Sequence, residues 1–79
     1  METITLNNQA WSLVSAVDCT YQVISSEPAY MSISATEPSQ SQGFVVVPLV
    51  PNYFAALNGR SLWMRAVRDS ASVYMEHSA

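Results

Sequence analysis

Apolar and polar positions alternate with a period of two along almost the whole chain, and no sustained helical stripe interrupts them. In the stretch from Cys19 to Ser25, Cys19, Tyr21 and Val23 fall on one face and Thr20, Gln22 and Ile24 on the other, which predicts a half-buried strand. Tyr30 to Thr36 repeats the pattern, with Met31, Ile33 and Ala35 set against Ser32 and Ser34. Thr3 to Leu6, Trp11 to Ser15, Ser61 to Val67 and Ser72 to Glu76 read as further strands. Phe44 to Val47 is a continuous apolar run rich in β-branched residues, as expected of a strand covered on both sides. Tyr53 to Leu57 fits either a strand or a single helical turn.

The punctuation agrees with the strands. Asn7-Asn8 and Asn58-Gly59 tolerate the left-handed backbone of tight turns, and Glu37 to Gln42 is a polar stretch ending at Gly43 that reads as an exposed loop. Pro48 and Pro51 cannot donate to a β-ladder, so this part of the chain belongs at a sheet edge or between sheets. The short link at Arg68 to Ala71 predicts that the last two strands pair antiparallel. The expected fold is a single all-β domain over residues 1–79: a small antiparallel β-sandwich or barrel of about seven short strands.

Composition changes the picture from fold to partner. Of the 79 residues, 49% are hydrophobic and only 11% charged, and Arg60, Arg65 and Arg68 are the only cations. A small domain with a marginal core usually adds disulfides, a metal or oligomerisation. Cys19 is the only cysteine and His77 the only histidine, too few for a disulfide or a structural zinc site, which leaves oligomerisation and no cofactor. A net charge of −3 argues against nucleic acid, the amino terminus carries no apolar run of a secretory signal, and no stretch is long and apolar enough for a membrane helix.

Catalysis finds no support in the inventory. Cys19 or a serine would need a base and an orienting group, and His77 lies at the end of the chain, where termini fray. The acids form no close pair or calcium loop, and Gly43 and Gly59 are the only glycines, so there is no phosphate-binding loop. Trp11, Phe44, Phe54 and Trp63 are the expected core aromatics, while Tyr21, Tyr30, Tyr53 and Tyr74 suit a wet rim.

The Ser61–Val67 strand holds large apolar groups on both faces: Leu62, Met64 and Ala66 on one, Trp63 and Val67 beside Arg65 on the other. Only one face can meet the domain's own core, so the other is expected to meet a neighbouring subunit, where Trp, Tyr, Met and Arg are enriched and Lys is depleted. Trp63, Met64 and Arg65 are the primary interface candidates, with Tyr53 and Phe54 beside them.

Asn8-Gln9-Ala10-Trp11, Gly43-Phe44-Val45, Leu62-Trp63-Met64-Arg65-Ala66 and Ser72-Val73-Tyr74-Met75-Glu76, taken in order, resemble small virion structural proteins of tailed bacteriophages. Where such proteins often carry a Pro-Gly turn after the middle strand, this chain has Val50-Pro51-Asn52. The resemblance implies a β-sandwich that decorates or cements a capsid, commonly as a homotrimer. Its implied partners are further copies of itself and a major capsid or other virion protein, and its implied location is the virion after synthesis in the host cytoplasm. Two alternatives stand beside it: a fibre-base or tail component with a receptor- or carbohydrate-binding surface, and a small phage inhibitor of a host protein.

Overall fold

A computed structural model describes residues 2–77, and within them the chain is all-β. Eight strands are present: β1 (Glu2–Asn7), β2 (Ser12–Ser15), β3 (Cys19–Val23), β4 (Ala29–Ser34), β5 (Phe44–Val46), β6 (Asn52–Phe54), β7 (Ser61–Ala66) and β8 (Ser70–His77). They form two antiparallel four-stranded sheets, β1-β8-β3-β6 and β2-β7-β4-β5. The ambiguous Tyr53 region resolves as the short strand β6, which brings the count to eight.

The topology follows from one folding operation. β1 pairs with β8, β2 with β7, β3 with β6 and β4 with β5, so the chain is one long hairpin whose tip is the β4–β5 loop. Rolling that hairpin sends successive pairs to alternate sheets, and the roll is joined laterally by the β3–β8 and β4–β7 pairings. This arrangement is a jelly roll, an eight-stranded double-sheet architecture. It overturns the expected pairing of the last two strands. β7 and β8 lie in different sheets, because residues 67–69 turn a corner between layers instead of closing a hairpin.

Alternation along each strand then places the core. Leu62, Met64 and Ala66 of β7 are all 0% exposed, and they face an inner layer from the opposite sheet that includes Val23, Val73, Met75 and Phe54. A register shift between Leu13 and Ser15 marks a bulge in β2, where Val14 and Ser15 are both buried in succession. The Ser15 hydroxyl donates to the Val17 carbonyl at 2.7 Å, so this polar group is satisfied at the sandwich rim.

The aromatic expectations divide. Phe54 is in the core, and Trp11 is buried but lies outside the central cluster. Trp63 is half-buried on the outer face of its sheet, and Phe44 is 76% exposed. Tyr21, expected at a wet rim, is instead buried in the core. Phe44 to Val47 is not covered on both sides either. β5 ends its sheet, so Val46 alone of the run turns inward while Phe44, Val45 and Val47 meet solvent.

Truncating Met64 to Ala should cost about 2–5 kcal/mol in denaturant unfolding, the range for opening a cavity in a packed core. Leu13→Ala, at a side chain 53% exposed, should change stability by less than about 1 kcal/mol.

Candidate functional site: an uncharged edge beside an inter-sheet cleft

The five interface residues expected from sequence do not share a surface. Met64 and Phe54 are 0% and 1% exposed, so their side chains hold the sandwich together and meet no solvent. Trp63 and Arg65 stand on the outer face of the β2-β7-β4-β5 sheet, whereas Tyr53, opposite Thr20, stands on the outer face of the other sheet. The two groups are on opposite sides of the molecule.

Arg65 has an internal task. Its guanidinium lies between two rings, 5.1 Å from the centroid of Trp11 and 4.8 Å from that of Tyr30. Its Nη1 donates to the Asn8 carbonyl at 3.2 Å and its Nη2 to the Gln40 carbonyl at 3.1 Å. The indole of Trp11 donates to the Ser39 carbonyl at 3.1 Å, and the Gln40 amide donates back to the Gln9 carbonyl at 3.0 Å. These bonds pin the β4–β5 loop over the outer face, which is why Trp11 is buried away from the core. Gly43 completes the fit: its φ is +117°, and a Cβ there would sit 2.8 Å from the Trp11 ring. The polar stretch 37–42 is thus exposed along most of its length yet docked, with Pro38 buried beneath it. Trp63 is tied in similarly, its indole donating to the Ser34 carbonyl at 3.1 Å.

The surface that sequence reasoning missed is the side of the sandwich where β5 and β6 end their sheets. Phe44, Val45, Val47, Leu49, Val50 and Tyr53 are between 48% and 76% exposed in this piece of chain, with Val45, beside Tyr30, on the outer face of one sheet and Tyr53, beside Thr20, on the outer face of the other. From Pro38 to Asn58 there is no charged residue at all. That absence was readable in the sequence; which side of the run faced water was not. Between the sheets at this edge opens a cleft of about 350 Å³, walled by Tyr21, Met31 and Val46 and rimmed by Phe44, Val47 and Val50. Leu49 stands out locally, with φ of +67° and 63% exposure. Its amide donates to the Val23 carbonyl at 2.7 Å, which ties the β5–β6 link to β3 and holds a leucine in a backbone conformation that favours glycine.

Cys19 and His77 are opposite each other in the β3–β8 register, so His77 is part of a strand rather than a frayed end. The thiol is fully buried, while the imidazole is exposed. Burial raises the Cys19 pKa; a hydrogen bond with Ser15 lowers it in part, and the Asp18 carboxylate adds to the rise. Burial likewise raises the Tyr21 pKa, with a smaller contribution from Cys19. Among the described residues no group of three or more His, Cys, Asp or Glu side chains is placed to hold a metal ion. The outer face of the β1-β8-β3-β6 sheet carries Thr3, Thr5, Thr20, Gln22, Ser72 and Tyr74, a polar surface with Glu76 near its end and the Asp18 carboxylate accepting from the Tyr53 hydroxyl at 3.1 Å.

No protein-family model, no curated protein and no solved structure matches this chain. Fold and surface chemistry therefore carry the functional reading.

Two outcomes test the internal geometry. Arg65→Lys keeps the charge but loses the planar fork that stacks between the rings and reaches both carbonyls. It should cost about 1–2 kcal/mol and raise hydrogen exchange in residues 35–43 while the strands stay protected. Both raised pKa values make stability fall at alkaline pH, since the unfolded thiol and phenol ionise first. The part of the stability that these two groups supply should therefore be intact at neutral pH and decline as pH rises through 9.0, the ordinary thiol value, with a shallower decline in Cys19→Ala.

Proposed function

We propose that this chain is a non-catalytic structural protein of a tailed-bacteriophage virion, decorating or cementing the capsid as a homotrimer. The observation that carries the reading is the uncharged, apolar β5–β6 edge. Monomeric soluble proteins seldom expose apolar patches of more than a few hundred Å², and larger ones mark surfaces that are covered in the working state. Open sheet edges are usually guarded by charge; residues 38–58 carry none, and the Asp18 carboxylate that meets this segment is bonded to the Tyr53 hydroxyl and the Ala56 amide at its β6 end. The jelly roll supports the reading as analogy, since viral capsid domains use that architecture alongside lectins and other proteins. The resemblance of the Leu62–Ala66 and Ser72–Glu76 segments to small phage structural proteins points the same way.

Assembly would act through area. Apolar surface buried at roughly 25 cal/mol per Å², repeated over many copies on a lattice, resists expansion of a filled shell without any chemical step. The neutral Thr, Gln and Tyr face of the β1-β8-β3-β6 sheet favours one second reading, a fibre-base protein with a carbohydrate-binding surface, because such sites pair aromatic rings with neutral polar groups.

The test is co-sedimentation of purified protein with capsids of its own phage stripped of their accessory proteins. Saturable binding and a solution mass three times the 8.7 kDa chain are expected. No binding to the shell, with binding to a host-surface glycan instead, would replace this reading with the second.

A further inference from the structure

Residues 55–60 carry the chain from β6 in one sheet to β7 in the other, and Asn58-Gly59 forms the tip of this link. Both tip residues are left-handed, with φ of +58° at Asn58 and +72° at Gly59, and the Arg60 amide donates to the Leu57 carbonyl at 3.2 Å. This is the type I′ turn that an Asn-Gly pair favours. Leu57, Asn58, Gly59 and Arg60 are all exposed. We propose that Asn58 is a site of spontaneous deamidation, at which the Gly59 amide nitrogen attacks the Asn58 side-chain carbonyl and the chain acquires a new carboxylate. This goes beyond the assembly role proposed above and does not depend on it.

The step consumes water and no other reactant. As the Gly59 nitrogen gives up its proton and bonds to Asn58 Cγ, the Cγ–Nδ2 bond breaks and Nδ2 leaves as ammonia, closing a succinimide ring. Water then adds to one of the two ring carbonyls. Opening at Cγ leaves an aspartate, and opening at the backbone carbonyl leaves an isoaspartate whose peptide link runs through the side chain. Nothing is oxidised or reduced.

Three features select Asn58 among the four asparagines, Asn7, Asn8, Asn52 and Asn58. The first is the nucleophile. A side chain on the following residue crowds the attacking nitrogen, and Gly59 has none; even a Cβ built there would meet nothing within 4 Å. Asn7, Asn8 and Asn52 are followed by Asn8, Gln9 and Tyr53.

The second is the freedom of the reacting groups. Asn52 Nδ2 donates to the Val50 carbonyl at 2.9 Å, and Asn7 Oδ1 accepts from the Gln9 and Ala10 amides, both at 2.9 Å. Among the described residues neither the Asn58 carboxamide nor the Gly59 amide has a hydrogen-bond partner.

The third is room to move. Attack requires the backbone at Asn58 to rotate out of the I′ conformation, so the turn must open. The Ala56 amide is fixed to the Asp18 carboxylate at 2.8 Å, and β7 begins at Ser61. Among the described residues only the 3.2 Å bond from Arg60 to Leu57 closes the four residues between. An exposed turn held in this way opens locally while the sheets stay intact. The product adds one negative charge to a chain of net −3 and puts a carboxylate into residues 38–58, which carry none. Isoaspartate also lengthens the turn by one backbone carbon, so the two-residue I′ fit is lost.

The test incubates the folded chain in mildly alkaline buffer for several weeks, beside the same chain unfolded in guanidinium chloride, and maps chymotryptic peptides by mass. A gain of one mass unit is expected in the peptide holding Asn58, resolved into aspartate and isoaspartate forms. Its rate in the folded chain should lie within about tenfold of the unfolded rate, because opening the turn breaks one exposed hydrogen bond. Asn7, Asn8 and Asn52 should stay unconverted over the same period. Gly59→Ala should slow conversion about tenfold or more in the folded and the unfolded chain alike, so that a disturbed turn does not account for the effect. A folded chain whose Asn58 persists while the unfolded chain converts would show that the I′ turn locks the pair, and would overturn the proposal. Conversion at Asn7, Asn8 or Asn52 as fast as at Asn58, or a Gly59→Ala rate equal to wild type, would overturn it as well.

Discussion

Everything in this protein depends on two sheets burying one face each against the other, with no disulfide to reinforce them. The inner layer of β7, Leu62, Met64 and Ala66, has no exposure at all, and the facing layer from β8 and β3 is nearly as dry. Because the chain is a rolled hairpin, almost every strand finds its partners far along the sequence, and no adjacent pair except β4 and β5 shares a sheet. The core therefore forms only when the whole chain has come together, a topology of high contact order and slow folding. It also leaves four strands at sheet edges. β1 and β2 terminate the sheets on one side of the sandwich, β5 and β6 on the other.

How those two sides are finished distinguishes structure from function. Around Trp11, next to β2, the chain spends its best polar interactions: a guanidinium between two rings, an indole on a carbonyl and a glycine that lets the loop approach. Cation–π contacts and charge-assisted hydrogen bonds of this kind fix a loop in place. The β5–β6 side receives no such cover. A protein able to dock one loop over an aromatic cluster has left another apolar edge bare, with a strained leucine in it, and that contrast is what makes the edge a candidate for contact with another molecule.

Much of the fold was legible in period-two alternation. The β7 pattern separated Leu62, Met64 and Ala66 from Trp63 and Arg65 as the structure does, and the strand bounds agree to within one or two residues except at the end of β6. The failures share a physical cause. Alternation says which residues share a face but not what lies against that face, so Trp63 and Arg65 looked like interface when a distant loop covers part of their sheet. A short link says that two strands are close but not whether they pair or turn a corner, which is how β7 and β8 came to look like a hairpin. The apolar run 44–47 resembled a doubly covered strand because a buried strand and an unprotected edge have the same composition; only the sheet order tells them apart.

The central claim is that the β5–β6 edge is exposed in the lone chain and covered in the working state. Hydrogen exchange followed by mass spectrometry at low and high protein concentration measures this directly. Amides of residues 44–50 that lack a partner in the β4–β5 ladder or at the Val23 carbonyl should exchange faster on dilution and become protected as concentration rises, while the 35–43 loop and the core strands stay unchanged. Exchange in 44–50 that is the same at every concentration, and the same again when capsids are added, would contradict the account.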